Sequence, residues 1–486
     1  MSLKRTGRSD GAATARVEPY RATLESLYER RRFGLRPGLE VIQALLEALG
    51  HPERAYPAVH VTGSKGKGSV AAMTQSILSA SGLRTGLFTS PHLISYRERA
   101  RIDARTIDAD AVVAGVSRVD AVAADLESAG RIDRSPTFFE VTAALAFDWF
   151  AREHVDAAVV EVGIGGRLDA TNVLDARVGV VTTVELEHPD VLGPTVTSIA
   201  FEKSGIFHPG MTGVVGELPS EALAVVEQEA ARNGVPLWRL GGEVRISERK
   251  LSESGQTFSV RLPGEHWDRL EIPLLGRFQP GNAALALAAA RRFATSLGRP
   301  LADEAARSGL AHVRWRARLE RMARRPDLYY DVAHTPESAK AVAQSLAEIA
   351  PLADPSMNAV VFGCLSGKDV PRILEAFALL AHTLVVVPVR SERALPPSEV
   401  RAAAAGRFPR IVEAPSVAEG VRLGRLATAT DGLTLVAGSD YLIGELLRSA
   451  HDDEPDLSDP GLGGPPARRP LPDRSPSRRR AQGPNA

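Results

Sequence analysis

Residues 59–73 read VHVTGSKGKGSVAAM: a short β-branched run, three glycines interleaved with two lysines, then small and apolar residues at helical spacing. A strand that passes through a glycine turn into a helix aims backbone N–H groups and a helix N-terminus at one point, a geometry that holds phosphate. The usual phosphate loop has four residues between its first glycine and its Gly-Lys pair. Here Gly63 stands three positions before Gly66, and Gly68 separates Lys67 from Ser69. The strict pattern is not met. The residue types still suit the chemistry, since glycine lets an anion approach, Lys67 carries charge and Ser69 offers a hydroxyl to Mg²⁺. A flexible basic turn is the competing reading, and the loop alone leaves both open.

Outward from the loop, β-branched runs alternate with Ala/Leu-rich helical patterns from Val59 to about Ala294. PAVHVTG, RTGLFTS, DAAVVEVG, RVGVVTTV and MTGVVGE are the clearest strands. Near-continuous apolar strands separated by helices predict an α/β fold with a parallel sheet covered on both faces. Val70, Met73, Ile77 and Leu78 mark the buried side of the helix after the loop. Residues 17–50 read as helix-rich, with Leu24, Leu27, Leu45 and Leu49 on apolar faces. Residues 240–273 alternate and carry turn residues, as in a small antiparallel meander. The helix NAALALAAARRFATSL follows, and GRPLADEAARSGLAHV reads as a polar connection. A second, smaller α/β series starts near Arg316 with LYYDVA, NAVVFGC, TLVVVPV, RIVEA and GLTLVAGS. The expected organisation is a loose leader over 1–16, a first domain over 17–310, a second over 311–450 and a disordered tail over 451–486. That tail holds eight prolines and six arginines in 36 residues, too little apolar surface to fold.

Composition narrows the class. With 44% hydrophobic and 24% charged residues, the 486-residue chain reads as a soluble globular protein, and 59 basic against 59 acidic residues favours neither nucleic acid nor an anionic membrane. One cysteine, Cys364, rules out an intrachain disulfide framework and fits a reducing cytosol. No uninterrupted apolar run reaches membrane-spanning length, and the basic N-terminus lacks the apolar core of a signal peptide.

Two more clusters carry chemistry. In DAAVVEVGIGGRLDATNV, residues 156–173, Glu161 ends a strand where open α/β sheets place ligands. In VTTVELEHPDVLGPTVTSIAFEKSGI, residues 181–206, His188 follows a neighbouring strand and can converge with Glu161. A carboxylate, an imidazole and serine hydroxyls make a candidate Mg²⁺ site, although histidine is unusual for so hard an ion. Taken singly, Glu161 is also an ordinary strand-end charge and His188 an ordinary exposed histidine.

In order along the chain, HVTGSKGKGSV, GLFTSPHL, TFFEVTAALAF, EVGIGGRLDATNV, EHPDVLGPTVTSIAFEKSGI, WRARLE, YYDVAHTPESA, GCLSGKD, ERALPPSEV and GSDYLIGELL resemble the folate branch of the Mur ligase superfamily. The resemblance spans about residues 20–448. It implies a P-loop-type ATPase domain followed by a Rossmann-like ligase domain, ATP-dependent amide formation through an acyl phosphate, and the substrates ATP, L-glutamate and dihydropteroate or a folate. Gly63, Gly66, Lys67, Gly68 and Ser69 would hold the ATP phosphates, with Asn282, Arg318 and Asp331 as further nucleotide contacts. Ser69, Ser90, Glu161 and His188 would hold Mg²⁺. Lys67 and His188 stand at catalytic positions, and Lys203 matches a lysine that becomes carbamylated. Thr137, Phe138, Phe139, Glu140, Leu168, Asp169 and Ala170 match a pterin pocket, and His334 and Ser439 lie where glutamate would meet the second domain. A cytoplasmic monomer that touches neither nucleic acid nor membrane is the expectation.

The chain departs from the branch at three places: Ser64 and Lys65 in the loop, Thr335 after His334, and Gly367 where an acid is commoner. Two other readings compete with this one. A peptidoglycan-precursor ligase would carry a nucleotide-sugar domain before the loop, whereas 61 mostly helical residues precede Thr62. A non-catalytic nucleotide-binding module would have no use for Glu161, His188 and Lys203 together.

Overall fold

The computed structural model describes residues 10–449, apart from 35, 253 and 350–353. Eight strands form the first sheet: β1 (Ala58–Thr62), β2 (Thr85–Phe88), β3 (Ala100–Ile102), β4 (Arg105–Thr106), β5 (Ala157–Glu161), β6 (Ala176–Val181), β7 (Thr212–Val215) and β8 (Leu237–Arg239). Their order is β4-β3-β2-β5-β1-β6-β7-β8, parallel except at the β3 and β4 edge. Pattern reading misses β3, β4 and β8, which have only two or three residues each, too few for a period.

Burial on both faces explains the apolar strands. Val59, Val61, Val159, Val178 and Val180 join one core, while Ala58, Ala158, Val160 and Val181 join the other. The first core lies under the helix Lys67–Ala80, the helix Gln279–Ser296 and a three-stranded antiparallel sheet of β9 (Arg245–Ser252), β10 (Gly255–Leu262) and β11 (Glu265–Ile272). After β1 the chain crosses past β5 to β2, and later returns to β6 on the opposite side of β1. The glycine loop therefore sits at the reversal of strand order, where such sheets open a ligand crevice.

Two expectations change. Residues 10–16, read as leader, belong to the helix Asp10–Glu29, because an alanine-rich start runs into Tyr20, Leu24 and Leu27, all buried. Residues 1–9 and the tail from 451 lie outside the described residues. The polar connection near 300 contains a helix, Asp303–Ala311, whose Ala305, Ala306, Gly309 and Leu310 are buried. Its exposed charges masked a narrow apolar stripe. No helix among the described residues is long and apolar enough to cross a membrane.

The second sheet holds β12 (Glu320–Ala323), β13 (Asp327–Tyr330), β14 (Ala359–Phe362), β15 (Thr383–Val386), β16 (Arg410–Glu413) and β17 (Leu433–Ala437), in the order β12-β13-β17-β14-β15-β16. Only β12 is antiparallel. His334, Ser439 and Lys368 follow β13, β17 and β14, three neighbouring strands, and so share one edge.

The helices Lys67–Ala80 and Asp303–Ala311 cross at Gly309. A Cβ there would lie 2.5 Å from Ile77 Cα, and the Ser76 hydroxyl donates to Gly309 O at 2.6 Å. Gly309→Ala should lower stability by about 1–3 kcal/mol through overpacking, seen as a reduced denaturant midpoint. Helix propensity alone would raise it by about 1 kcal/mol, so the sign of the change reports whether the backbones meet.

Candidate active site

The loop after β1 is locked against the exit of β6. Gly63 has φ +143°, and a Cβ there would lie 1.9 Å from Thr182 Oγ1. Gly66 has φ +83°, and its Cβ would meet Asn282 Oδ1 at 2.6 Å. Both positions need glycine for conformation and for space. Lys65 N donates to Thr183 Oγ1 at 2.8 Å, and Thr182 Oγ1 donates to Lys65 O at 2.5 Å. Glu185 N donates to Ser64 Oγ at 2.9 Å. The unusual Ser64 thus ties the loop to the segment after β6. Lys67, first residue of the following helix, folds its Nζ back to Gly63 O at 2.9 Å, and Ser69 is buried in the first turn. Backbone donors, a helix N-terminus and an ammonium converge here, an anion site by construction.

Glu161 ends β5 beside this loop and is buried. Its Oε2 accepts from Ser90 N at 3.0 Å. Burial pushes its carboxyl above the usual range, and the charge of Lys67, the Ser90 N–H and the more distant Arg318 and Arg99 pull it back. Ser90 brings its N–H to Glu161 because β2 and β5 are parallel neighbours ending together.

On the segment after β6, His188 adopts a left-handed conformation, φ 44°, and caps a short helix with its side chain exposed. Burial of part of the ring lowers its pKa, Glu187 opposing and Lys368, Lys67 and Lys203 adding. Lys203 is 1% exposed and donates to Glu187 Oε1 at 2.7 Å. The neighbouring Glu202, the simplest partner on sequence, bonds Arg167 instead. Burial brings the Lys203 ammonium down to about 8 against the pull of Glu187, with Lys67 and Lys65 adding to the fall. Burial alone would raise the Glu187 carboxyl, but Lys203, Lys67 and Lys65 outweigh it and bring it to about 2. Sequence reading missed Glu187, since a glutamate among Glu185, Glu187 and His188 has no distinguishing pattern.

These groups fit magnesium of one kind. No cluster of three His, Cys, Asp or Glu side chains that could cage a metal occurs among the described residues. Magnesium, however, is commonly held by one or two carboxylates, waters and substrate phosphates. Glu161 offers a buried carboxylate with one oxygen bonded by a single N–H, next to the anion-binding loop and the hydroxyls of Ser69 and Ser90. His188 stands at the rim.

In the second domain Asp331 is buried, and its two oxygens accept from Leu319 N (2.8 Å) and Ala333 N (2.7 Å). Burial raises it to about 6, with Arg318 opposing. It clamps the turn after β13 to the strand that follows Arg318, so its geometry is first of all structural. Arg318 lies close enough for its charge to act on both Asp331 and Glu161. Asn282 donates to Gln279 Oε1 at 3.0 Å and presents Oδ1 to Gly66. His334 Nδ1 lies 2.8 Å from Val332 O, and burial keeps the ring neutral, with a pKa near 4. The neutral ring must then donate through Nδ1, which leaves Nε2 as an acceptor. Ser439 Oγ accepts from Tyr441 N at 3.1 Å. Thr335 and Ser338 exchange side-chain and backbone hydrogen bonds, so the departure at 335 starts a helix.

The segments read as a pterin pocket meet, but not with all side chains free. Thr137 and Glu140 form a capping box, and Arg134 grips both oxygens of Glu140 at 2.8 Å. Phe138 stacks on Tyr28 with ring centres 5.5 Å apart. Phe139 faces Gly163, where a Cβ would lie 2.6 Å from its ring. Asp169 is buried and accepts from Ile164 N, Thr171 N and Thr171 Oγ1 at 3.0, 3.0 and 2.5 Å. His60, buried in β1, lies 2.8 Å from the same hydroxyl. Leu168 is half-buried beside Gly38, whose N–H faces its carbonyl, and Ala170 is buried. Thr171, His60 and Arg134 went unnoticed in the sequence: the Thr171 and Arg134 partners are close in sequence but follow no recognised pattern, and His60 meets Thr171 only through the fold.

With carbon dioxide and bicarbonate removed, so that Lys203 is the ammonium, Glu187→Gln should destabilise the fold at pH 7 by about 2 kcal/mol, because a buried ammonium loses its counter-charge and keeps only an amide acceptor. A carboxyl lowered from 4.5 to about 2 by folding contributes stability that is present above 4.5 and lost as pH falls toward 2. Unfolding midpoints of parent and variant should therefore converge across that window, and a gap that stays constant would show that the pair is not ionic.

Comparison with known proteins agrees with this architecture. Residues 61–290 match the Mur ligase middle domain, and residues 317–440 match the Mur ligase, glutamate ligase domain. A dihydrofolate synthase/folylpolyglutamate synthase of Mycobacterium tuberculosis is 37% identical over 384 residues, covering 76% of this chain and 78% of that one. The structure of M. tuberculosis folylpolyglutamate synthase complexed with ADP and AMPPCP superposes with a TM-score of 0.82 at 33% identity, covering 90% of this chain and all of that one. E. coli FolC in complex with DHPP and ADP gives 0.79 at 28%, covering 89% and 98%. The chain belongs to the folylpolyglutamate synthase/dihydrofolate synthase family of Mur-type ligases.

Proposed function

We propose that this chain is an ATP-dependent ligase that joins L-glutamate to dihydropteroate, to a (tetrahydro)folate, or to both, through an acyl phosphate. The observation that carries the reading is the convergence, at the carboxyl ends of β1, β5 and β6, of a phosphate-shaped loop, a buried carboxylate and a buried lysine, with Arg318 reaching the same point from the second domain.

In this reading the loop N–H groups and Lys67 hold the terminal phosphates of ATP, with Asn282 beside the loop. The acceptor carboxylate attacks the terminal phosphorus, ADP leaves, and the amine of glutamate attacks the acyl phosphate to release phosphate. Lys67 and Arg318 stabilise the charge that moves onto the leaving phosphate oxygens. Magnesium, when bound, would neutralise phosphate charge, held by Glu161, the hydroxyls of Ser69 and Ser90, and His188. His334 Nε2, an acceptor in the neutral ring, receives a proton of the glutamate amine, with Ser439 beside it. Phe139 and the loop shaped by Asp169 form the pterin wall, while Thr137 and Glu140 fix the helix start that presents it. The DHPP held by the E. coli relative supports the dihydropteroate arm. The reading places the enzyme in the cytoplasm as a monomer.

Lys203 is carbamylated in the active enzyme. Carbon dioxide adds only to a neutral amine, losing one proton to give an anion, and a lysine lowered to about 8 reaches that form far more readily than one at 10.5. The carbamate would then face Glu187, so cations must stand between them, and Lys65, Lys67 and the metal supply them.

Lys67→Ala should leave the fold intact and cut turnover by about 10²-fold or more; ADP release at saturating ATP, with circular dichroism as the folding control, checks both halves. Activity should fall when bicarbonate and carbon dioxide are removed and return on adding them back. Lys203→Arg should be inactive, since a guanidinium forms no carbamate, and full activity in that variant would mean positive charge suffices.

A further inference from the structure

Between the domains, beside the glycine loop, lies a cavity of about 200 Å³. Thr89, Leu93 and Arg101 line it from the first domain, and Trp315, Arg318 and Asp440 from the second. It borders the proposed reaction centre at three points. Thr89 precedes Ser90, whose N–H holds Glu161. The Trp315 indole stands against Gly68, where a Cβ would come within 2.8 Å of the ring. Arg318 acts on Glu161 itself.

Arg101 has no part in the proposed chemistry. Its side chain is 23% exposed, and its guanidinium lies 5.4 Å from the centre of the Trp315 ring. Nε donates to Glu98 O at 3.2 Å, and the nearest carboxylate oxygen, Glu98 Oε2, is 3.7 Å from Nη2. That carboxylate is committed elsewhere, accepting from Leu93 N, Ile94 N and Ser95 N at 2.9–3.1 Å. The Nη groups make no hydrogen bond among the described residues. A largely buried guanidinium normally meets a carboxylate or phosphate in paired hydrogen bonds, so this one is set to receive an anion from outside the chain. Asp440 also lines the cavity and would repel such an anion, while Arg316 and Arg318 add positive charge to its lining.

The two acceptors differ in that respect. Dihydropteroate has a single carboxyl, the one that is ligated. A folate carrying one glutamate has two, so one is ligated and the other remains as a spectator anion a few carbons from the reacting one. We propose that Arg101, facing Arg318 across this cavity, is a specificity determinant that holds the spectator carboxylate of an acceptor already bearing glutamate. The inference rests on the ligase reading above and adds to it the site that admits a growing anionic tail.

The test uses the full chain. Arg101→Met keeps the stem against Trp315 and removes the charge, while Arg101→Lys keeps the charge without the fork. At saturating ATP and L-glutamate, Arg101→Met should raise KM for tetrahydrofolate by about tenfold or more, equivalent to the loss of one charge-assisted contact. Dihydropteroate should change by less than about twofold, Arg101→Lys should recover part of the loss, and mass spectrometry should show shorter glutamate chains. Equilibrium binding of pteroate and of folate in the presence of ADP gives the same comparison without turnover: Arg101→Met should weaken folate and spare pteroate. Equal losses for both acceptors, or none for either, overturn the subsite. A folded wild type that ligates neither acceptor overturns the ligase reading instead, while the binding comparison still decides on Arg101.

Discussion

The glycine loop has no room at Gly63 and Gly66, and that crowding organises the rest of the site. Thr182 stands where a side chain of Gly63 would go, and Asn282 where one of Gly66 would go. The loop therefore cannot drift from the end of β6 or from the start of the helix Gln279–Ser296. With Lys65 hydrogen-bonded to Thr182 and Thr183, the loop backbone is fastened to the end of β6 by its own contacts. Such preorganisation matters in phosphoryl transfer, where positioning and electrostatics supply most of the rate.

Charge is arranged around that rigid point in layers. Lys67 lies on the loop, Lys65 beside it, Lys203 beneath the segment after β6, and Arg318 across the domain boundary. Against them stand Glu161, Glu185 and Glu187. Burial raises Glu161 and Glu185 and lowers Lys203, so each charged form depends on its neighbours. The lowering of Lys203 is the informative member. A lysine paired with a carboxylate at 2.7 Å would ordinarily rise, and this one falls because burial and two further ammonium groups outweigh one acid.

Several side chains expected to touch substrate are also hydrogen-bonded within the chain. Glu140 and Thr137 build the start of a helix, and Asp169 and Asp331 fasten turns through backbone N–H groups. Two or three such donors fix the orientation of each carboxylate and leave lone pairs on its oxygens. Motif reading finds these residues because their identity is demanding, and their bonds within the chain are what the fold adds.

Local pattern was enough for the longer parallel strands and for the helix behind the glycine loop, since continuous apolar runs and helical spacing are properties of neighbours in sequence, while the role of the loop itself needed its context. It also placed Lys67, Glu161 and His188 next to strand ends, because open α/β sheets collect such residues at one edge, whereas Lys203, in the last turn of the helix Val196–Ser204, was singled out by the family resemblance alone. The antiparallel edge of β3 and β4, the helix Asp303–Ala311 and the partner of Lys203 were not legible. Strands of two or three residues have no period, four buried positions among charges make a weak stripe, and ion pairing depends on which chain segments meet. The tertiary structure alone decided that Glu187 rather than Glu202 faces Lys203, that Trp315 rests on Gly68, and that Arg101 and Arg318 share a cavity. Each joins residues 16 to more than 200 positions apart, and side-chain charge and burial are set by such distant neighbours, whereas backbone periodicity is set by near ones.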